Sequence, residues 1–313
     1  MFSPYVRALV AVAVALAISG CATIRRSAVR SVSDMLVAGS GGNVYTTDDD
    51  PELIRDALPF ALKTYEMLLA QDPQNRGLHA ATAAAYVQYA NAFVQADADR
   101  LEGKDLEGAQ RAKKRAAKLY LRGRDYALRG IELDHAGFLA ALKQNATGTV
   151  AKLTKKDVPL AFWAGAGWAA AIAADSGNMQ LVGDLPFVDA IMRRVLALDE
   201  SYGDGGVHDF FISYEGSRSE AMGGSPARAQ EHFERSVALT HGRKASPYVA
   251  LAESVAVRRQ DVAMFKELLH KALAVDINAA PTWRLANVLA QEKAQRLLDR
   301  IPELFVNEEE TTP

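Results

Sequence analysis

One helix ending recurs along this chain, and that recurrence narrows the fold more than any single motif. Leu68-Leu69-Ala70-Gln71-Asp72, Gly130-Ile131-Glu132-Leu133-Asp134, Leu196-Ala197-Leu198-Asp199, Val237-Ala238-Leu239-Thr240 and Leu273-Ala274-Val275-Asp276 are versions of it. Each places small and aliphatic residues where a helix packs on a partner, then a polar exit. From Pro51 onward the apolar spacing is helical throughout. Asp50-Pro51-Glu52 is a start signal, with an aspartate N-cap, proline at the first helical position and an acid in the first turn. Ile54, Leu58, Ala61, Tyr65 and Leu68 then recur every three or four residues, with Glu52, Arg55, Lys63 and Glu66 assigned to the opposite face. Asp72-Pro73 ends the helix. No comparable stretch alternates with period two, so the fold class is all-α.

Aligned on their last residues, the five endings are separated by 62, 65, 41 and 36 positions. The last two steps approach the 34-residue period of a tetratricopeptide (TPR) unit. The first two approach twice that, as if intervening boundaries had lost the signature. Such helix pairs stack into a superhelix with a concave surface, because each bares an apolar face that only a neighbour covers. The expectation is one superhelical domain of stacked, antiparallel TPR-like pairs over 51–305. An irregular α-bundle is the alternative.

Arg7 is the only charge in the first 24 residues, and the uncharged run Ala8 to Gly20 follows it. That pattern reads as a secretory signal over 1–20, too short to span a bilayer. Ile18-Ser19-Gly20-Cys21 resembles a bacterial lipobox, in which the cysteine is diacylated and becomes the first mature residue. Cys21 is the chain's only cysteine, so no intrachain disulfide forms. A soluble secreted protein is the alternative. Ala22, where an aspartate would argue for retention, favours the outer membrane over the inner. The lipidated segment with a first helix is assigned to 21–50, and 306–313 is an acidic tail.

Two internal stretches stand out. Val158 to Ala174 is seventeen residues without a charge, bracketed by Asp157 and Asp175. Its alanines, glycines and Pro159 make it a central buried helix rather than a span. Phe162, Trp163 and Trp168 either fill the core or wall an apolar cavity. The tryptophans are five positions apart, so about 140° separates them around the helix and both cannot face one narrow cavity. Gln110 to Gly130 carries eight bases and one acid. This is either a solvated face or a contact for an acidic partner or lipid headgroups, with Lys113, Lys114 and Lys118 as candidates.

Other signals are absent. The six histidines include no pair three or four residues apart, and no nucleophile elbow, phosphate loop or dinucleotide fingerprint occurs. Gly203-Asp204-Gly205-Gly206 reads as a helix-connecting turn, Asp48-Asp49-Asp50 as a cap cluster, and Gly223-Gly224-Ser225-Pro226 as a turn, cap and helix start. A formal net charge of −2 gives no basis for a nucleic-acid partner. No enzyme activity, metal or cofactor is implied.

The order of several segments resembles the TatT family, the TPR-containing periplasmic T component associated with TRAP transporters. The stretches are Asp48 to Leu53 with Ala57 to Lys63, Tyr120 to Ala127, Asp157-Val158-Pro159, Leu198 to Gly205, and Glu220 to Pro226 running to Phe233-Glu234. The resemblance implies a homotrimeric lipoprotein of TPR-like pairs, held at the membrane by its lipid alone. It implies pairing with a periplasmic solute-binding P subunit, and a pore or cleft for an apolar or organic-acid ligand. It supplies no catalytic residue. A general periplasmic TPR scaffold for outer-membrane or cell-wall assembly is the alternative function.

Overall fold

In the computed structural model, residues 44–306 are described. Cys21, the signal segment, the expected first helix and the tail from 307 lie outside them. Among the described residues there are helices and turns and no strand.

The long helices are α1 (Pro51–Gln71), α2 (Arg76–Tyr89), α3 (Leu106–Glu132), α4 (Val158–Ala174), α5 (Leu185–Leu198), α6 (Tyr202–Ser217), α7 (Pro226–Thr240), α8 (Ser246–Leu251), α9 (Val262–Leu273) and α10 (Arg284–Asp299). Shorter turns occupy the connections. Two rods are longer than their labels. α2 continues through a π-helical segment, Ala90–Gln95, into Ala96–Leu101, and α8 through a second, Ala252–Ala256, into Val257–Arg259.

Local chemistry starts and stops these helices. Asp50 accepts hydrogen bonds from the N–H groups of Glu52 and Leu53 at 3.0 Å each, ahead of Pro51. Ser225 caps α7 through the Arg228 N–H at 3.2 Å, with Pro226 at the first helical position and Gly223 at φ 81° before it. The turn at the start of α6 is left-handed over three residues, Gly203, Asp204 and Gly205, with φ of 61°, 53° and 78°. A side chain at Asp204 makes that conformation costly, so the surroundings must hold it.

The recurring endings are real helix exits, at Asp72, after Glu132, at Asp199, after Thr240 and after Leu273. Their spacing has a different cause from the one the 34-residue period implied. No boundary is missing between the first ones. Each interval holds one pair of rods, α2 with α3, α4 with α5, α6 with α7 and α8 with α9, and the rods of each pair pack on each other. The early intervals are longer because α2 and α3 are long and because short turns precede α4.

Successive rods pack in order, and α10 returns to touch α1. One core cluster runs from Ile54 through Tyr214 and takes in Leu285 of α10, and a second runs from Ile212 through Phe305. α6 serves both, with Phe211 in the first and Ile212 in the second. α4 lies between α2, α3 and α5. Its glycines set the approach. A Cβ on Gly167 would stand 3.0 Å from the Tyr120 carbonyl oxygen, so α3 and α4 meet at backbone distance. The segment Lys155–Ala174 is apolar and long enough to suit a membrane by composition, yet most of it is buried inside the fold.

Two polar assignments need correction. Glu66 does not face solvent. Its carboxylate accepts from the Tyr86 and Tyr126 hydroxyls at 2.8 Å each and pairs with Arg122 at 2.9 Å. Arg55 is likewise paired, with Asp97. Glu52 and Lys63 are exposed as expected, and an apolar row shares that side of α1: Leu53, Phe60 and Met67 are 57 %, 76 % and 59 % exposed.

Candidate functional site

A cleft of about 670 Å³ opens where the first and last helices meet. Its floor is the small-residue face of α2, with Ala81, Ala84, Ala85 and, in the π segment, Ala92. Ile54, Leu58 and Tyr65 of α1 and Trp163 of α4 form its walls, while Tyr202, Asp204, Trp283 and Leu285 stand at the rim. Alanine supplies the room, and the aromatic residues supply the contact surface.

Three segments far apart in sequence hold this rim together. The Leu285 N–H donates to the Thr46 carbonyl at 3.1 Å, and the Arg284 guanidinium to the Thr47 carbonyl at 3.0 Å. The Trp283 indole N–H donates to the Asp204 carboxylate at 2.9 Å, while Lys244 reaches the Asp204 carbonyl at 3.4 Å. These bonds fasten the left-handed turn. The Tyr202 hydroxyl, pushed up to about 12 by burial, is a neutral phenol.

The three aromatic residues of α4 divide. Trp163 is half-buried on the cleft wall and meets Phe162 edge-on at 5.0 Å. Phe162 is buried behind it against Tyr202 at 5.3 Å. Trp168 is 2 % exposed on the far side of the helix. Its indole N–H donates to Asp184 at 3.1 Å, and the Arg124 guanidinium lies 4.8 Å from its ring centre.

A second cleft, of about 580 Å³, lies further along the same helices. Asn91 and Gln95 of the first π segment, Glu253 of the second, Ala170, Ala173 and Ala174 of α4, and Lys293 and Arg296 of α10 all line it. Such π segments break the regular ladder and are frequent at functional sites. From Trp163 to Ala170 along α4 is seven residues, about 10 Å.

The basic stretch on α3 is not one face. Lys114, Arg115 and Lys118 are exposed and pair with nothing among the described residues. Lys113 turns towards the second cleft and pairs with Glu102. Arg122 and Arg124 are taken up by Glu66 and Asp125.

Histidine spacing concealed one contact. His208 on α6 and His232 on α7 lie with their Nδ1 atoms 2.9 Å apart, and His208 Nε2 is 3.3 Å from Glu200. Burial first, and then His208, depress His232 to about 4, so the pair is neutral near pH 7. Among the described residues no cluster of His, Cys, Asp or Glu is arranged to hold a metal ion.

The fold and clefts define an all-helical protein built from helix pairs, with ligand-sized recesses between its first and last elements. The chain belongs to the TRAP transporter T-component family, whose profile matches residues 47–305. It is 31 % identical over 268 residues to an uncharacterized protein of Treponema pallidum (strain Nichols), covering 84 % of this chain and 83 % of that one.

Proposed function

We propose that this chain is the accessory, non-catalytic binding component of a TRAP-type solute uptake system, offering its clefts to an apolar or organic-acid ligand. The observation that carries this reading is the alanine-floored, aromatic-rimmed cleft, whose volume suits a small organic molecule. The two clefts share α2, α4 and α10, and in this reading they are the ends of one passage. The chain is anchored by lipid on Cys21 at the periplasmic side, with the outer membrane favoured by Ala22. It pairs with a periplasmic solute-binding P subunit and assembles as a homotrimer, for which the exposed row Leu53, Phe60 and Met67 offers an apolar contact surface. The TPR-like stacking is supported by one helix pair per interval between endings.

Native mass spectrometry of the unlipidated chain, alone and with a periplasmic solute-binding P subunit, tests the reading. A trimer mass, a retained small molecule and a mixed complex are expected. A monomer without ligand that ignores the P subunit and instead captures peptides would refute it.

A further inference from the structure

The second cleft has an unequal charge lining. Six basic and five acidic side chains reach it, and Asp97 and Glu292 just behind the wall pair with Arg100 and Arg296. Most of these groups are already matched. Lys293 pairs with Glu253 at 2.8 Å, Arg300 with Glu303 at 2.8 Å, and Lys113 with Glu102. Asp99 accepts from Gln95 at 2.8 Å and Asp299 from Gln295 at 3.1 Å.

Lys104 is exposed and its ammonium pairs with nothing among the described residues, while Arg296, in the cleft wall, has only a long ion pair. The Arg296 side chain is 31 % exposed, yet its guanidinium makes no hydrogen bond among the described residues. The nearest carboxylate, Glu292, is 3.7 Å away, too far for a hydrogen bond, and is shared with Arg100 at 3.6 Å. Its planar fork of five donors opens onto the cleft, where no protein acceptor takes them within hydrogen-bond distance. Burial and the neighbouring Arg100 both pull the guanidinium below its ordinary pKa, a strain that a bound anion relieves. Guanidinium forks match carboxylate and phosphate oxygens bidentately. Beside the fork the wall turns apolar, with Leu297 on the same helix and Ala170, Ala173 and Ala174 on α4.

We propose that Arg296 is the anion-recognising residue of the ligand passage, taking the carboxylate or phosphate head of an amphiphile whose apolar body lies against Ala170, Ala173 and Leu297. This rests on the binding reading above, and it assigns a head-group site and an orientation to that ligand. Glu102, Glu253 and Glu303 each face a base, whereas Asp99 and Asp299 accept only from neutral glutamine amides and keep their charge, which limits how near to them the anionic head lies. A charge-assisted pair of this kind contributes about tenfold or more in affinity.

Calorimetric titration of the unlipidated chain with octanoate, octyl phosphate, octanol and octylamine is the test. Wild type is expected to bind at least one anionic probe about tenfold or more tightly than octanol. Arg296→Gln should reduce that anion to the level of octanol and leave octanol unchanged, and Arg296→Lys should restore part of the preference. Melting curves of both variants confirm folding. Preference for octyl phosphate assigns a phosphate-ester head, such as a lipid headgroup; preference for octanoate assigns a free acid. If octanol or octylamine binds wild type as well as the anions do, or if Arg296→Gln keeps the preference, the proposal is overturned and the passage reading stands. If no probe binds, the passage reading fails and Arg296 has no ligand to orient.

Discussion

Trp163 and Trp168 sit on one helix five residues apart, and replacing each by alanine should have opposite consequences. Trp168 is 2 % exposed, with its indole N–H on Asp184 and its ring beneath Arg124. Truncation leaves a cavity among α3, α4 and α5 that closely packed backbones cannot collapse into. A buried tryptophan lost in this way costs ~3–5 kcal/mol. Asp184 is partly exposed and rehydrates, so the broken hydrogen bond adds at most about 1 kcal/mol. Set against a typical total of about 5–15 kcal/mol, this is a large loss. At roughly 2–4 °C per kcal/mol for a chain of this size, it lowers the melting temperature by about 10 °C or more. Trp163 already borders open cleft, so its removal enlarges a recess that water fills. The loss there should be about 1–2 kcal/mol, the side turned to Phe162 being the part that was buried. Urea unfolding followed by circular dichroism measures both, and octanoate or P-subunit titration measures binding. Trp168→Ala should unfold early, and Trp163→Ala should fold well and bind weakly. Equal large losses of stability with unchanged binding in both variants would refute the division of this helix into a core side and a cleft side.

Further outcomes follow from other groups. Cys21→Ala should abolish lipid labelling and release the chain from membranes, since the apolar helix α4 is buried; the variant in a high-salt-washed membrane pellet would contradict this. Folding holds His232 neutral down to about pH 4, whereas the unfolded histidine takes a proton below about 6.5, so stability is level above pH 6.5 and is lost as pH falls towards about 4. About 2–3 kcal/mol of stability should go over that window, and His232→Phe should flatten this part of the profile while keeping the stack on Phe211; parallel profiles would disprove it. Lys114→Glu with Lys118→Glu should slow association with an acidic P-subunit surface at low salt, because steering acts over a screening length of about 8 Å at physiological ionic strength. Association rates that stay the same at every salt concentration would make the face merely solvated.

What was legible along the chain was what neighbours in sequence decide. Asp50 before Pro51, Ser225 before Pro226 and the glycines around Asp204 announce caps and turns because the groups that bond lie within a few residues. The bounds of α4 at Asp157 and Asp175 follow from the same locality. What was hidden depends on where a side chain finds its partner. Glu66 has the spacing of a solvent residue, yet two tyrosines and an arginine from α2 and α3 meet it. Lys113 and Lys114 are adjacent in a basic run, and the rotation of about 100° between neighbours sends the first into a cleft and leaves the second in water. His208 and His232 are 24 residues apart and touch only because α6 packs on α7. Neither π segment carries a local signal, and residues of both line the second cleft. Arg296 has the i,i+4 spacing of an ordinary helix pair with Glu292, and only the packed structure shows that this pair is long and that the guanidinium faces a cleft.

The small residues of α4 serve two ends, and substitution separates them. On the face towards α3, Gly167 lets backbones meet: an added Cβ would stand 2.9 Å from Val87 and 3.0 Å from the Tyr120 carbonyl. Val87 can yield but the carbonyl cannot, because α3 is held along its length. Overpacking of this kind costs about 1–3 kcal/mol, against at most ~1 kcal/mol gained by replacing glycine within a helix. Gly167→Ala should therefore destabilise by ~1–2 kcal/mol and leave ligand affinity nearly intact once folded. Towards the second cleft, Ala173 is exposed and has space before it. Ala173→Leu should shift stability by less than about 0.5 kcal/mol and block the passage, lowering octanoate affinity by more than tenfold. Thermal melts and titrations of the two variants give four numbers whose pattern is fixed in advance. Unchanged octanoate binding in a well-folded Ala173→Leu would mean that the ligand does not pass along this face of α4, whatever its head group.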